Sequence, residues 1–200
     1  VKLLHIIFFL LSKKSGQLKA FWRAEISSNG RINPFRLHIA HKCRDRHFLL
    51  WWRLANQMTL VGSKRQRKTA KKIGWALQMK YASDIGLTAS IGIKPTFMHL
   101  TGVVISGRAV IGDHAVIHQN VTIGVKDGLS KAVANIGHHA VIGAGVCILG
   151  GVKIGHHVNI GAMSLVLTDI PDNSTYVCKV LPIVLQNRNS PTLSCAMPDT

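Results

Sequence analysis

Acidic residues are scarce in this 200-residue chain. Eight Asp and Glu stand against 25 Lys and Arg, a formal net charge of +17. The imbalance is local: residues 1–84 carry 18 basic and 3 acidic side chains, residues 85–165 carry 5 and 2, and residues 166–200 carry 2 and 3. A region this basic has affinity for phosphates, nucleic acid or an anionic membrane face. No nucleic-acid recognition motif accompanies the charge, so no such partner is expected. Aromatics are also few, at 6%, which disfavours an aromatic-centred sandwich, while 18 glycines suit a turn-rich β architecture. Cys43, Cys147, Cys178 and Cys195 form no CxxC pair. That spacing argues against a disulfide scaffold or a cysteine zinc site and points to a reducing, cytoplasmic setting.

Long apolar runs are missing too. No stretch approaches the roughly 18 residues that a membrane span needs. The run from Leu3 to Leu11 is interrupted by His5 and closed by Lys13 and Lys14. It is too short to span and makes a poor signal peptide. It reads as a helix, with burial preferred over an interfacial anchor.

What the chain does contain falls into two regimes. Residues 1–83 form a basic, mostly helical region. Phe21, Trp22 and Ile26, then the Asn33-Pro34 start signal, then the apolar stretch from Phe48 to Leu60, predict three or four helices between residues 18 and 82. A basic run from Ser63 to Lys72 and an apolar one from Ile73 to Tyr81 complete it.

At Ile85 the period changes. Ile85 and Ile91 are six residues apart, as are Ile105, Ile111, Ile117 and Ile123, and then Ile136, Ile142, Ile148, Ile154, Ile160 and Val166. Glycine usually follows the aliphatic, and the fifth residue of each hexad is small or a short aliphatic. A hexad fits no 3.6-residue helix. It fits a short strand plus a turn, with three such units making one coil of a β-helix whose aliphatics bury against the next coil. The expected fold is therefore mainly β over 84–171, followed by a tail over 172–200. Two insertions break the rhythm, one around Phe97 to Gly102 and one from Val125 to Asn135. Insertions in a solenoid project as loops, often on the binding face.

The hexads together with His99-Leu-Thr-Gly-Val-Val-Ile-Ser-Gly resemble the left-handed β-helix acyltransferases of the hexapeptide-repeat family, in their serine acetyltransferase-like branch. Ala115 to Gly124, Ile142 to Gly150 and Ile160 to Pro171 match the same branch, and the match covers roughly 84–171. The helical leader is similar to that of the colanic acid and capsule polysaccharide O-acetyltransferases. The resemblance implies a left-handed parallel β-helix, a homotrimer with sites between subunits, and acetyl transfer from acetyl-CoA to a hydroxyl. It places His99 as general base, a role suited to an imidazole near neutral pH. Gly124, Ala144, Gly145 and Ala162 are the candidates for contact with acetyl-CoA, since small residues let a pantetheine arm lie against the coils.

Departures from the branch bear on the acceptor. Met98 stands where Asp precedes the histidine, Ala132 and Val133 where an Arg-His pair helps hold serine, and Val177 to Pro182 where a Gly-x-Pro-Ala motif closes the helix. These losses point to a sugar of a surface polysaccharide or its precursor, with serine O-acetylation as the alternative. His114, His139 and His157 share the fourth position of a hexad and are expected to line one edge. They are read as a solvated histidine edge rather than a metal site, and no metal is expected. The basic run Lys64 to Lys72 reads as a solvated helix face or a patch for anionic membrane, which would place the protein peripherally at the inner membrane face.

Overall fold

The computed structural model describes residues 2–26, 33–126 and 132–178. Within them lie five α-helices: α1 (Lys2–Leu11), α2 (Gly16–Glu25), α3 (Pro34–Lys42), α4 (Arg44–Val61) and α5 (Lys64–Tyr81). Local chemistry sets their starts. The Asn33 side chain accepts from the Arg36 N–H at 2.8 Å, with Pro34 in the first helical position. Ser63 and Gln66 form a reciprocal capping box at the head of α5. The basic run and the apolar segment after it form one helix, α5.

Burial preferred for the Leu3 to Leu11 run needs correcting. Phe9 is buried, but Leu3, Leu4, Ile7, Phe8 and Leu11 are exposed. The physical reason is that α1 packs along α5, with His5 Nδ1 3.1 Å from Thr69 Oγ1, and one neighbouring helix covers only one stripe.

Fourteen short strands follow: β1 (Asp84–Ile85), β2 (Ser90–Ile91), β3 (Thr96–Phe97), β4 (Val104–Ile105), β5 (Val110–Ile111), β6 (Val116–Ile117), β7 (Thr122–Gly124), β8 (Asn135–Ile136), β9 (Val141–Ile142), β10 (Cys147–Leu149), β11 (Lys153–Ile154), β12 (Asn159–Ile160), β13 (Leu165–Val166) and β14 (Thr175–Tyr176). They form three parallel sheets, ordered β1-β4-β7-β10-β13, β2-β5-β8-β11 and β3-β6-β9-β12-β14. Consecutive strands enter the three sheets in rotation, so the chain winds around one core with three strands per turn. Register is in phase throughout: Ile105 pairs with Ile123, Ile111 with Ile136, and Ile117 with Ile142. Most six-residue units bury two side chains, such as Ala109 with Ile111 or Val146 with Ile148, two residues apart on the inward side of the strand, while Phe97 of β3 and Tyr176 of β14 are half-buried. The glycine after the aliphatic sits where coils touch: a Cβ on Gly112 would lie 2.6 Å from the Gly137 carbonyl carbon. Strand pairing continues past residue 171 to β14. Residues 127–131 of the second insertion and residues 179–200 of the tail, including Cys195, lie outside the described residues.

The first coil has no preceding coil to hydrogen-bond its carbonyls, and α4 supplies the donors. Trp52 Nε1 donates to Ile85 O, Asn56 Nδ2 to Leu87 O and Ala89 O, and Arg53 Nη1 to Ile91 O at 2.7 Å. Buried carbonyls left unpaired would cost on the order of 1–3 kcal/mol each. Arg53 is itself almost completely buried. Its charge is balanced by Glu25 of α2 at 2.6 Å, and its guanidinium stacks over Phe21 at 3.9 Å. Glu25 Oε1 also accepts from the Lys94 N–H, tying α2, α4 and the coil together. The helices have a second core of their own, built on Phe9, Leu18, Trp22, Leu54 and Met58.

Candidate active site

The turns between sheets repeat a backbone device. At the edge between the third and first sheets, Ala82, Gly102, Asn120, Gly145 and Met163 all have positive φ. At the edge between the second and third sheets, Lys94, His114, His139, His157 and Asn173 do the same. Each turn donates to the turn of a neighbouring coil, as in Asn120 N to Thr101 O, Gly145 N to Gln119 O and Met163 N to Ala144 O.

His99 lies on the first of these edges. There, six residues separate Ile117 from Ile123, but eight separate Phe97 from Ile105. The two extra residues push out a loop that is held at both ends: Met98 N donates to Ile117 O, Val103 N to Leu100 O and Gly102 N to Ala82 O. Gly102 needs to be glycine twice over. Its φ is +71°, and a Cβ there would run into the Asn120 side-chain amide. The His99 side chain is exposed on this loop and lines a cleft of about 850 Å³ between the coil and the helices.

The opposite wall of the cleft was not legible as a site in the sequence. It comes from the end of α3, the start of α4 and the end of α5. His41, Lys42, His47, Lys80 and Tyr81 line it. Trp51 Nε1 donates to His41 Nδ1 at 2.9 Å, leaving the other imidazole nitrogen of His41 to face elsewhere. Lys80 Nζ stands 3.4 Å from His47 Nε2, and the Tyr81 hydroxyl 3.0 Å from His47 Nδ1. An ammonium can only donate, so Nε2 of His47 is the acceptor and Nδ1 carries its proton toward Tyr81. Burial, then the charges of Lys80 and His41, hold the His47 imidazole below its ordinary pKa. Phe48 packs edge-on against both Tyr81 and Phe97 and fixes the two walls together.

The small residues proposed for acetyl-CoA divide between two edges. Ala144, Gly145 and Ala162 lie on the His99 edge, two and three coils further along. Coils are about 4.8 Å apart, so they stand on the order of 10–15 Å from the histidine loop along the edge. Ala162 is exposed there. Gly124 is not brought beside them within one chain. It ends β7 at the edge between the first and second sheets, where its carbonyl accepts from Gly150 N at 3.0 Å. Ala132 and Val133, near the end of the second insertion, lead into β8 on that same side. The three histidines that share the fourth hexad position line one edge: His114 stacks on His139 at 4.9 Å and His139 on His157 at 4.8 Å, with rings within 3° of parallel. Parallel rings direct their nitrogens side by side rather than toward one point. Among the described residues, no three His, Cys, Asp or Glu side chains converge as a metal site.

No protein-family model matches the chain. It is 45% identical over 132 residues to a probable serine acetyltransferase 1 of Oryza sativa subsp. japonica, covering 62% of this chain and 43% of that one. It is 41% identical over 97 residues to a putative colanic acid biosynthesis acetyltransferase of Escherichia coli K12, covering 48% and 60% respectively. The chain thus spans about half the length of these curated relatives. In fold it resembles serine acetyltransferase isoform 3 of Entamoeba histolytica, with a TM-score of 0.65 at 23% identity, over 94% of this chain and 65% of that one. A serine acetyltransferase solved in complex with CoA gives a TM-score of 0.60 at 28% identity, over 66% and 54%. By sequence and by fold, the chain is similar to the serine acetyltransferase-like branch of the hexapeptide-repeat acyltransferases.

Proposed function

We propose that the chain is an O-acetyltransferase that moves an acetyl group from acetyl-CoA to a hydroxyl, with His99 as general base. The observation that carries this is the placement of His99: exposed in a large cleft, at the head of an edge of small residues long enough to seat a pantetheine arm. The His99 imidazole would take the proton of the acceptor hydroxyl as its oxygen attacks the thioester carbonyl. Collapse of the tetrahedral intermediate would expel the CoA sulfur, which recovers the proton, leaving an acetyl ester and free CoA thiol. Base assistance of this kind is worth about 10²–10⁴ in rate. The winding is read as a left-handed β-helix, with 84–171 as the catalytic unit, 1–83 a helical region and 172–200 a tail.

The names of the relatives favour L-serine as acceptor over a sugar. Met98, Ala132 and Val133 speak for the sugar, because they leave a zwitterion without polar partners at three positions. Release of CoA thiol, followed with L-serine and with a panel of sugars, decides. Turnover on serine alone would remove the sugar reading, turnover on sugars alone would remove serine, and no thiol release with any hydroxyl would remove the enzyme.

Two further proposals concern assembly. The outward row of the first sheet, Asp84, Val104, Thr122, Cys147 and Leu165, exposes two aliphatic side chains, Val104 and Leu165, that a single coil has no use for. This supports a homotrimer, and a monomer mass in light scattering at micromolar concentration would overturn it. No helix among the described residues is long and apolar enough to cross a membrane. The exposed apolar side of α1, however, adjoins exposed Lys64, Arg65, Lys68 and Lys72 on α5. Apolar and basic surface side by side suits the interface of an anionic bilayer, where each basic residue contributes about 1 kcal/mol at low salt. Co-sedimentation with anionic liposomes should therefore be salt-sensitive and should fall when residues 1–14 are removed. Full-length protein that stays in the supernatant at low salt would refute membrane contact.

A further inference from the structure

Resting on the acetyl-transfer reading, we propose that the cleft beside His99 holds its acceptor by a phosphate or diphosphate group seated on Lys42, Lys80 and His41. The argument starts from how the chain treats cations elsewhere. Arg53, the buried one, is fully matched by Glu25 and by backbone carbonyls. The cleft is handled in the opposite way. Its described lining residues include two lysines and three histidines and no Asp or Glu. Among the side chains that the structure describes, which leave out those of Arg44 and Asp45, neither Lys42 nor Lys80 has a carboxylate within ion-pair distance. Two ammonium groups gathered in one concavity without a counter-charge repel one another, and a multiply charged anion relieves that repulsion through charge-assisted hydrogen bonds.

The hydrogen-bond directions fit the same ligand. Trp51 occupies the acceptor nitrogen of His41, so the ring presents an N–H to whatever faces its other side. Lys80 reaches His47 with one of its three N–H groups and retains two. An ammonium-bearing acceptor would find no carboxylate among the described side chains of the walls, whereas an anion finds donors from two helices, His41 and Lys42 of α3 and Lys80 of α5. The donor substrate does not account for this charge. The small-residue edge of Ala144, Gly145 and Ala162 leads away from the helices, so a pantetheine arm that reaches His99 along it carries the phosphates of CoA to the far end.

The test is direct binding of inorganic pyrophosphate, by titration calorimetry at low salt, to full-length protein saturated with CoA. Wild type should bind, and K42Q/K80Q should bind at least tenfold more weakly. K64Q/K68Q, which removes the same charge from the exposed start of α5, should match wild type. H41Q keeps the acceptor for Trp51 and loses the second ring nitrogen, so a smaller, roughly threefold weakening is expected. No binding by wild type, equal weakening by both lysine pairs, or displacement of pyrophosphate by CoA would each overturn the proposal. Glucose 1-phosphate in solution, set against a polyprenyl phosphate in phosphatidylcholine vesicles, separates a soluble from a lipid-borne source of the group. Thiol release keeps the two readings apart. Pyrophosphate binding without thiol release on any acceptor would refute acetyl transfer and leave the anion site standing. Thiol release that K42Q/K80Q leaves unchanged, without pyrophosphate binding, would do the reverse.

Discussion

Two edges of the same coil are built on one backbone plan and carry different chemistry. Both place a residue of positive φ at every turn, and both stack turn upon turn. On the edge between the second and third sheets, the side chains are large and self-satisfying. The ladder runs from Ile93 N to Asp113 Oδ1, from Asp113 N to His138 Nδ1, from His138 N to His156 Nδ1 and from His156 N to Asp172 Oδ1. Beside it stands the stacked column of His114, His139 and His157. On the edge between the third and first sheets, Gly102, Ala144, Gly145 and Ala162 alternate with Gln119, Asn120 and an exposed Met163, and a two-residue insertion lifts one histidine clear. The same geometry therefore yields a closed surface in one place and an open track in the other. The difference lies in how far side chains fill the turns, so one backbone plan presents two different surfaces.

The largest effect should come from removing what both edges share. Ile142→Ala opens a void in the fully buried core and should cost about 2–5 kcal/mol of stability in urea titration. Unchanged stability would mean that the coil closes over the void and that this core position does not hold the edges together. Next is His99→Ala, which should lower acetyl transfer about 10²-fold or more with thermal stability unchanged, since the loop lies outside the core. Activity within a few-fold of wild type would take His99 out of the mechanism. Smaller still is Ala162→Trp, which fills the track three coils away. It should raise KM for acetyl-CoA roughly tenfold, about 1.4 kcal/mol, with kcat little altered. An unchanged KM would move the donor elsewhere.

The smallest effect concerns the closed edge. Desolvation, then the neighbouring His157, His114 and His138, lower the pKa of His139, with Asp113 acting the other way. A folded pKa below the unfolded value of about 6.5 means that the unfolded chain binds the proton first as pH falls. Stability is then complete above that value and declines as pH drops below it toward the depressed folded pKa. His139→Asn retains a residue that tolerates positive φ, as Asn120 and Asn173 do at equivalent turns. It should flatten the decline in melting temperature over that acid window. An unchanged slope would show that the histidine column is electrostatically silent.

The winding was legible because its cause is local. One aliphatic every sixth residue writes the coil directly into the sequence, down to the histidine column at the fourth hexad position. The loop that carries His99 was legible as a break in the hexad rhythm, and its Gly102 answers to a positive φ. Arg53 was not. It sits inside an apolar stretch and reads as an interruption, because its partners, Glu25 and the carbonyls of Ile91 and Gly92, come from other segments. The basic wall of the cleft was hidden for the same reason. His41, Lys42, His47 and Lys80 are spread over some forty residues and meet only when α3, α4 and α5 close on the coil. The exposed side of α1 escaped because apolar residues alone do not say how many neighbours a helix will have.

The donors that α4 extends to the first coil also limit the length of the stack. A parallel coil has no natural end: each turn offers its successor the same row of carbonyls, and an uncovered row would accept the strands of another molecule as readily as its own. Trp52, Arg53 and Asn56 occupy that row with side chains that cannot propagate the pattern. The helices are thus a terminator as well as a wall of the cleft, and α4 serves both ends: Trp52, Arg53 and Asn56 close the row while Phe48, one turn earlier, packs against the strand that leads to His99.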